Sequence, residues 1–284
     1  MNASRKTVPV SFEFFPPNTP VGDDKLKTVV QELGAMKPEF FSVTYGAGGS
    51  TREKTLNTVS AIARAGFEAA PHLSCVGSTR DSLTEILATY RAQNIRRLVA
   101  LRGDLPSGTA TTGEFRYATD LVRFVRETQG RDWVIEVAAY PEYHPQERYA
   151  RRDLQHYVDK VKAGADSAIT QFFFNPDAYF HFVEETRKLG AEVPVVPGIM
   201  PFHNYAKIAQ FAARDGIDIP RWVALKMEGF MDDAASIRAF GLDVVTGLCE
   251  KLIAGGAPGI HFYTMNQSAV TIELCKRLGL APKD

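Results

Sequence analysis

The chain has 284 residues, of which 45% are hydrophobic and 11% aromatic, and this composition supplies enough apolar side chains for one large globular core. Lys plus Arg and Asp plus Glu number 33 each, so the chain lacks the basic surplus that is typical of nucleic-acid-binding proteins. Three widely spaced cysteines without a C-x-x-C pair argue against a disulfide framework or a zinc site, and no long apolar segment predicts a membrane span, so we expect a cytoplasmic protein with small-molecule partners.

Short segments rich in β-branched and aromatic residues alternate along the chain with longer amphipathic segments. Helical patterns, with apolar residues at three- and four-residue steps, include 52–65 and 80–92. A long connection from about 203 to 256 is predicted to hold two or three helices. The eight predicted strands are 8–15, 40–46, 69–75, 97–103, 134–140, 167–174, 194–200 and 259–264.

This alternation predicts parallel strands joined by helical crossovers, and eight such units predict closure into an α/β fold of the (β/α)8 TIM barrel type. The competing architecture is an open doubly wound sheet. No internal repeat or low-complexity linker interrupts the pattern, so residues 1–284 are predicted to form a single domain.

The first strand places a single carboxylate, Glu13, among phenylalanines. Strand alternation puts Ser11, Glu13 and Phe15 on one face and Phe12 and Phe14 on the other. If the two phenylalanines pack outward on helices, Glu13 points into the barrel near its mouth. A buried carboxylate without a partner is costly, so Glu13 is either exposed or part of a site.

Further polar residues stand on or just after the other predicted strands. Because the carboxyl ends of barrel strands surround the active site in this fold, these side chains are expected to converge there. The alternative is that several are barrel-interior groups hydrogen-bonded to one another. The residues are Thr44, His72, Arg102 with Asp104, Glu136, Tyr140, Gln171 and His261.

The glycine-rich segment 44–55 matches neither the Rossmann nor the P-loop spacing. It predicts a tight turn in which Ser50 or Thr51 caps the next helix and Glu53 lies in that helix's first turn. No histidine spacing typical of a metal site and no G-x-S-x-G elbow occur in the chain, so the sequence supports neither metal nor nucleophilic catalysis.

The segment 151–166 is predicted to be helical, with Asp153, His156 and Lys160 on one face. Two interpretations remain open for this face. It is either a solvated polar stripe or, if it turns toward the barrel mouth, a surface for ribose hydroxyls and phosphates.

Taken together, these segments closely resemble the methylenetetrahydrofolate reductase family, in its short bacterial form, which implies that residues 1–284 are a single catalytic domain without a regulatory domain. The resemblance extends from the first strand to the last and implies a (β/α)8 barrel that carries FAD. The matching stretches are "SFEFFPP", "FFSVTYGAGGSTREKT", "PHLSC", "LVALRGD", "VAAYPEYHP", "DLQHYVDKVKAGADSAITQFFF", "PVVPGIMP" and "GIHFYTMN".

The resemblance also implies the reaction. A nicotinamide cofactor, NADH or NADPH, reduces the bound FAD and leaves, and the flavin then reduces 5,10-methylenetetrahydrofolate to 5-methyltetrahydrofolate for methionine synthesis. Family members commonly form homo-oligomers, so an oligomer is expected here.

Residue roles follow from the same resemblance. Glu13 matches the general acid, and its apolar surroundings are expected to raise its pKa and keep it protonated. Asp104 matches an aspartate beside the flavin that disfavours the reduced anionic form. Gln171 matches a contact to folate and nicotinamide, and Phe211 an aromatic that stacks on either. Gln267 stands where the family often has arginine, so a charge that helps to hold a substrate is missing.

The resemblance assigns a further set to FAD, from the reactive edge of the ring to the phosphates and adenosine. These residues are Thr44, His72, Arg102, Gly103, Asp104, Ala138, Tyr140, His144, Asp153, His156 and Lys160.

Three other functions remain open on the same barrel. One is a pterin-binding methyltransferase, which needs a corrinoid or thiolate methyl acceptor. Another is a folate reductase without flavin. The third is an inert barrel that acts only as a binding subunit.

Overall fold

The computed structural model describes residues 8–45, 52–104, 113–202, 204–231 and 233–281. Within these ranges, strand segments and helices alternate along the chain. The strand segments are β1 (Val10–Phe14), β2 (Phe41–Val43), β3 (Ala69–Ser74), β4 (Arg97–Leu101), β5 (Val134–Ala139), β6 (Ser167–Thr170), β7 (Val195–Val196), β8 (Gly198–Ile199) and β9 (Ile260–Tyr263). The helices are α1 (Pro20–Gly34), α2 (Arg52–Arg64), α3 (Arg80–Ala92), α4 (Ala118–Gln129), α5 (Ala150–Lys162), α6 (Pro176–Lys188), α7 (Tyr205–Asp215), α8 (Arg221–Gly229), α9 (Ala234–Ala254) and α10 (Ala269–Arg277).

All strand pairs are parallel, and their order is β7-β6-β5-β4-β3-β2-β1-β9-β8. The segments β7 and β8 are two halves of one strand interrupted at Pro197, which has no N–H to donate. The first half pairs with β6 and the second with β9, so the sheet closes on itself. The predicted (β/α)8 barrel is therefore confirmed, and the open doubly wound sheet is excluded.

The outer face of the sheet packs on the helices through a layer of aromatic side chains. Phe12 lies between Phe41 and Phe262, with ring centroids 5.8 and 6.0 Å away, and Phe14 stacks on Phe41 at 5.3 Å. All four rings are fully buried in one cluster with apolar residues of the helices. The prediction that Phe12 and Phe14 face outward is confirmed, which leaves the inner face of β1 to its polar residues.

The amino-terminal ends of the strands hold a buried ion pair. Arg97, the first residue of β4, places Nη1 2.6 Å from Oε1 of Glu136 and Nη2 3.0 Å from Glu39, while Ser167 donates to Glu136. The guanidinium also lies over the ring of Phe40, 4.4 Å from its centroid. Grouping Glu136 with the residues of the barrel mouth was therefore wrong, because its partners hold it at the opposite end of the barrel.

The predicted helices are close to those observed. Segments 52–65 and 80–92 form α2 and α3, with Glu53 in the first turn of α2, whereas Ser50 and Thr51 lie outside the described residues. The long connection holds the three helices α7 to α9, and the helix predicted over 151–166 ends at Lys162. None of the helices in the described parts of the chain has the length and apolar character needed to cross a lipid bilayer.

Candidate active site

Glu13 lies on the inner face of β1, and two imidazoles approach its carboxylate. The Oε2 atom is 3.3 Å from Nε2 of His72 on β3 and 3.7 Å from Nε2 of His261 on β9. Ser11, two residues earlier on the same face, lies 2.7 Å from Nδ1 of His261 through its hydroxyl oxygen. Both Nε2 atoms are buried and neither forms a well-aligned hydrogen bond among the described residues, so the contact of each imidazole with the carboxylate is electrostatic.

The two histidines decide the protonation state of Glu13. Burial by itself raises the pKa of this carboxyl, but His72 and His261 together outweigh burial and lower the pKa from 4.5 to about 2. The expectation that the neighbouring phenylalanines keep Glu13 protonated was wrong. Phe12 and Phe14 face the helices, and imidazoles face the carboxylate. At neutral pH the side chain is an anion.

A cavity of about 440 Å³, here called the central cavity, opens above Glu13 at the carboxyl ends of the strands. Its wall combines polar residues with apolar ones from β4, β6 and the loops, including Val99, Ile169 and Met200. The structure thus brings together seven of the residues singled out in the sequence. They are Glu13, Thr44, His72, Ala138, Tyr140, Gln171 and Phe211.

Tyr263 forms part of the same wall and was missed in the sequence, although alternation with His261 on β9 already placed it inward. Its hydroxyl donates to the carbonyl oxygen of Thr170 at 2.6 Å, and its ring passes over Gly198. A Cβ at position 198 would lie 2.1 Å from the Thr170 oxygen and 2.6 Å from Cε2 of Tyr263. Burial and the charge of Glu13 raise the pKa of Tyr263, so the phenol remains a neutral donor.

A second cavity of about 450 Å³, the lateral cavity, lies between the ends of β4 and β5 and the helices α4 and α5. It shares Leu101, Ala138 and Tyr140 with the central cavity, so the two spaces adjoin at these side chains. Seven further predicted residues line it. They are Arg102, Gly103, Asp104, His144, Asp153, His156 and Lys160.

The polar face of α5 forms one wall of the lateral cavity, which answers the question left open by the sequence. Asp153 is buried and accepts a hydrogen bond from the backbone N–H of His144 at 3.1 Å. Lys160 donates to the carbonyl oxygen of Ala138, and burial lowers its pKa to about 8 although the charge of Asp153 opposes that shift. His156 is exposed and lies 3.5 Å from Glu147.

The lateral cavity offers the groups that a phosphate-bearing ligand needs. Lys160 and Arg102 supply cations for phosphate oxygens, and the Asp153 carboxylate can accept from hydroxyl groups. Gly103 has φ 82°, and a Cβ there would lie 2.8 Å from Cβ of Ser74, so only glycine fits without a shift. Tyr117, which the sequence reasoning missed, stacks on His156 with centroids 5.8 Å apart and adds a flat aromatic surface.

Two of the predicted residues are less directly available to a ligand in these cavities. Gln171 donates through Nε2 to Asp215 at 3.5 Å and accepts from the Phe172 N–H, so the protein occupies both ends of its amide. Gln267 is exposed and lines neither cavity, while its neighbour Asn266 hydrogen-bonds the backbone N–H and carbonyl of Phe15 at 3.0 and 2.9 Å.

Comparison of the sequence with known proteins identifies one family. A family model described as methylenetetrahydrofolate reductase matches residues 1–279. The 5,10-methylenetetrahydrofolate reductase of Salmonella typhimurium is 40% identical over 274 residues, covering 96% of this chain and 91% of the relative, and that of Escherichia coli K12 gives the same values. A relative of the same name from Buchnera aphidicola of Acyrthosiphon pisum is 39% identical over 280 residues, covering 97% and 94%.

One solved structure has the same overall fold. It is an uncharacterized protein from Clostridium thermocellum that binds two copies of 5-methyl-5,6,7,8-tetrahydrofolic acid. The two chains superpose with a TM-score of 0.66 at 16% sequence identity, covering 98% of this chain and 95% of the other.

Proposed function

The chain belongs to the methylenetetrahydrofolate reductase family, and on that premise we propose that it reduces 5,10-methylenetetrahydrofolate to 5-methyltetrahydrofolate, with NADH or NADPH as donor and FAD as the bound carrier. The observation that carries this proposal is the position of Glu13. A carboxylate faced by two imidazoles lies in a cavity that adjoins a second cavity equipped for phosphates.

The residues of the lateral cavity fit FAD. Arg102 and Lys160 would hold the phosphates, and Asp153 the ribose hydroxyls, with Thr44 and Tyr140 nearer the ring at the central cavity. When bound, FAD would supply the hydride chemistry between the nicotinamide and the folate. Because the described residues place one central cavity beside Glu13, the donor and the folate would occupy it in turn, as a ping-pong sequence requires.

Glu13 would deliver the proton that opens the five-membered ring of the folate. Ring opening to an iminium needs protonation of a nitrogen, and an anionic Glu13 cannot supply that proton by itself. His72 or His261 in its protonated form would pass a proton to Oε2, and Glu13 would pass it on to the substrate nitrogen. The imidazole is left neutral. A bound folate that excludes water favours the neutral carboxyl in this exchange.

Three other side chains would act on the substrates. Gln171 and Phe211, which line the central cavity, would contact the folate and the nicotinamide in turn. Asp104, at the end of β4 in the lateral cavity, would place a negative charge near the flavin and so favour hydride release.

The cysteines disfavour a methyltransferase whose methyl acceptor is a thiolate of this chain. A thiolate methyl acceptor needs an accessible thiol with a low pKa. Cys75, Cys249 and Cys275 are all buried, and burial raises the pKa of Cys75 and of Cys275 to about 12.

An absorption spectrum tests the proposal. Protein purified from its own cells, or reconstituted with FAD, should show flavin bands that bleach anaerobically with NADH or NADPH and recover when 5,10-methylenetetrahydrofolate is added. A protein that neither contains nor takes up flavin, yet reduces the folate, would indicate the flavin-free reductase. Binding of folate without any reduction would indicate the inert binding subunit.

A further inference from the structure

Arg214, in the last turn of α7, is a cation at the rim of the central cavity. Its Nε and Nη2 atoms form a fork with the carboxylate of Asp215, at 2.6 and 2.8 Å. Its guanidinium carbon lies 5.1 Å from the centroid of the Phe211 ring. The side chain is therefore held in place from two directions.

The fork leaves part of the guanidinium available. A guanidinium has five N–H donors, and the Asp215 carboxylate takes one from Nε and one from Nη2, so both N–H groups of Nη1 point elsewhere. The Asp215 side chain is only 17% exposed, whereas that of Arg214 is 66% exposed. What an entering ligand meets is thus the positive member of the pair, although the pair as a whole is neutral.

Such a cation is prepared for binding before a ligand arrives. The carboxylate and the aromatic ring fix the plane of the guanidinium, so less rotamer freedom is lost when it forms further hydrogen bonds. The half-buried carboxylate of Asp215 also accepts from Gln171 at 3.5 Å, which connects it to another residue of the cavity wall.

Resting on the proposed function, we infer that Arg214 binds an anionic group of the molecule in the central cavity and is a specificity-determining residue of this chain. The ligand chemistry is a carboxylate or phosphate separated by several atoms from a planar ring that lies deeper in the cavity. Both substrates carry such a group. The folate has the carboxylates of its glutamate, and the nicotinamide dinucleotide has its pyrophosphate.

The test compares Arg214→Gln and Arg214→Lys with the control Arg221→Gln, which changes an exposed arginine of α8 outside both cavities. Binding of 5-methyltetrahydrofolate is measured by titration calorimetry beside the same pterin lacking its glutamate. In a second arm, rapid mixing measures flavin reduction by NADH beside the reduced nicotinamide riboside, which has no phosphate.

If the anion is the glutamate, Arg214→Gln weakens binding of the complete folate by about tenfold or more, since a hydrogen bond to a charged group contributes that much, and leaves the shortened pterin unchanged. If it is the pyrophosphate, the apparent dissociation constant for NADH rises similarly and that of the riboside does not. Arg214→Lys, which keeps the charge, loses less in the affected arm.

Equal affinities of wild type and Arg214→Gln in both arms would overturn the inference, as would equal losses for complete and shortened ligands. Melting temperatures of the variants show whether they are folded. Failure of the wild-type protein to bind either substrate would instead count against the proposed function, so the two failures are distinguishable.

Discussion

Glu13 and His72 lie on strands that are separated by a third strand, yet their Oε2 and Nε2 atoms are 3.3 Å apart across the inside of the barrel. The acid of the proposed reaction is therefore defined by contacts over the barrel interior, and its own strand contributes only the direction in which it points.

Replacing Glu13 with glutamine keeps the shape of the side chain and removes its ability to pass on a proton. We expect folate reduction by Glu13→Gln to fall by about 100-fold or more, the usual range for loss of a general acid, while flavin reduction by the nicotinamide stays near the wild-type rate. Anaerobic rapid mixing measures the two half-reactions separately. Glu53→Gln, an exposed change on α2, serves as control, and an equal loss in both half-reactions would contradict the role of Glu13.

Lys160 should make FAD affinity depend on pH. Its ammonium attracts phosphate only while protonated, and burial has lowered its pKa to about 8. Affinity is therefore expected to be full below pH 8 and to fall by up to about tenfold per pH unit above it, the slope of one linked proton. Tyr140, with a pKa of about 12, stays neutral over this range.

Fluorescence titration of the FAD-free protein between pH 6.5 and 9.5 measures this dependence. Lys160→Met should weaken binding at pH 7 and flatten the profile, whereas Lys162→Met, an exposed position two residues along α5, should leave both unchanged. A wild-type affinity that is constant across pH 8 would show that this ammonium does not contact the phosphates.

Gly198→Ala should loosen the wall of the central cavity. The new Cβ would overlap the Thr170 carbonyl oxygen and the Tyr263 ring, so the hydrogen bond between them is expected to break, at a cost of about 1–3 kcal/mol in the free energy of unfolding. Urea denaturation measures the loss. Gly247→Ala on α9, where nothing lies within 4 Å of the added Cβ, should instead be neutral or stabilising. Equal stability of the two variants would contradict this account.

Glu136→Gln tests the ion pair at the amino-terminal ends of the strands. Removing the charge leaves Arg97 without its closest partner, 2.6 Å away, and is expected to lower the free energy of unfolding by about 3 kcal/mol. Because this pair lies at the end of the barrel away from Glu13, kcat/KM per folded molecule should be unchanged at 20 °C. A large fall in kcat/KM with unchanged stability would place Glu136 in the active site after all.

The sequence predicts most of the barrel because the two-residue period of strands and the three- to four-residue period of helices both depend only on neighbouring residues. Alternation with period two assigns the faces of β1, and helices of similar length between strands imply parallel crossovers. The sequence does not predict how far along the barrel axis an inward-facing side chain lies. Glu136 on β5 lies in the ion pair at the amino-terminal ends of the strands, whereas Tyr140, just after β5, lines the central cavity.

The charge state of Glu13 was beyond sequence reasoning for a related reason. Its neighbours in sequence are phenylalanines, and its neighbours in space are His72 and His261. Arg214 and Asp215 were missed because they lie in the long connection, where the bounds of individual helices were not predicted and no strand marked the direction of the side chains.

The interruption at Pro197 has a consequence for the whole ring. Main-chain hydrogen bonds join only two residues of β7 to β6 and two residues of β8 to β9. Between these two pairings, the Thr170 hydroxyl accepts a hydrogen bond from the Gly198 N–H, and the Tyr263 hydroxyl donates one to the Thr170 carbonyl oxygen. Tyr263 also lines the central cavity. One phenol therefore both lines the cavity and joins β9 to β6 across the interrupted strand, so the wall that a ligand would contact also helps to close the sheet.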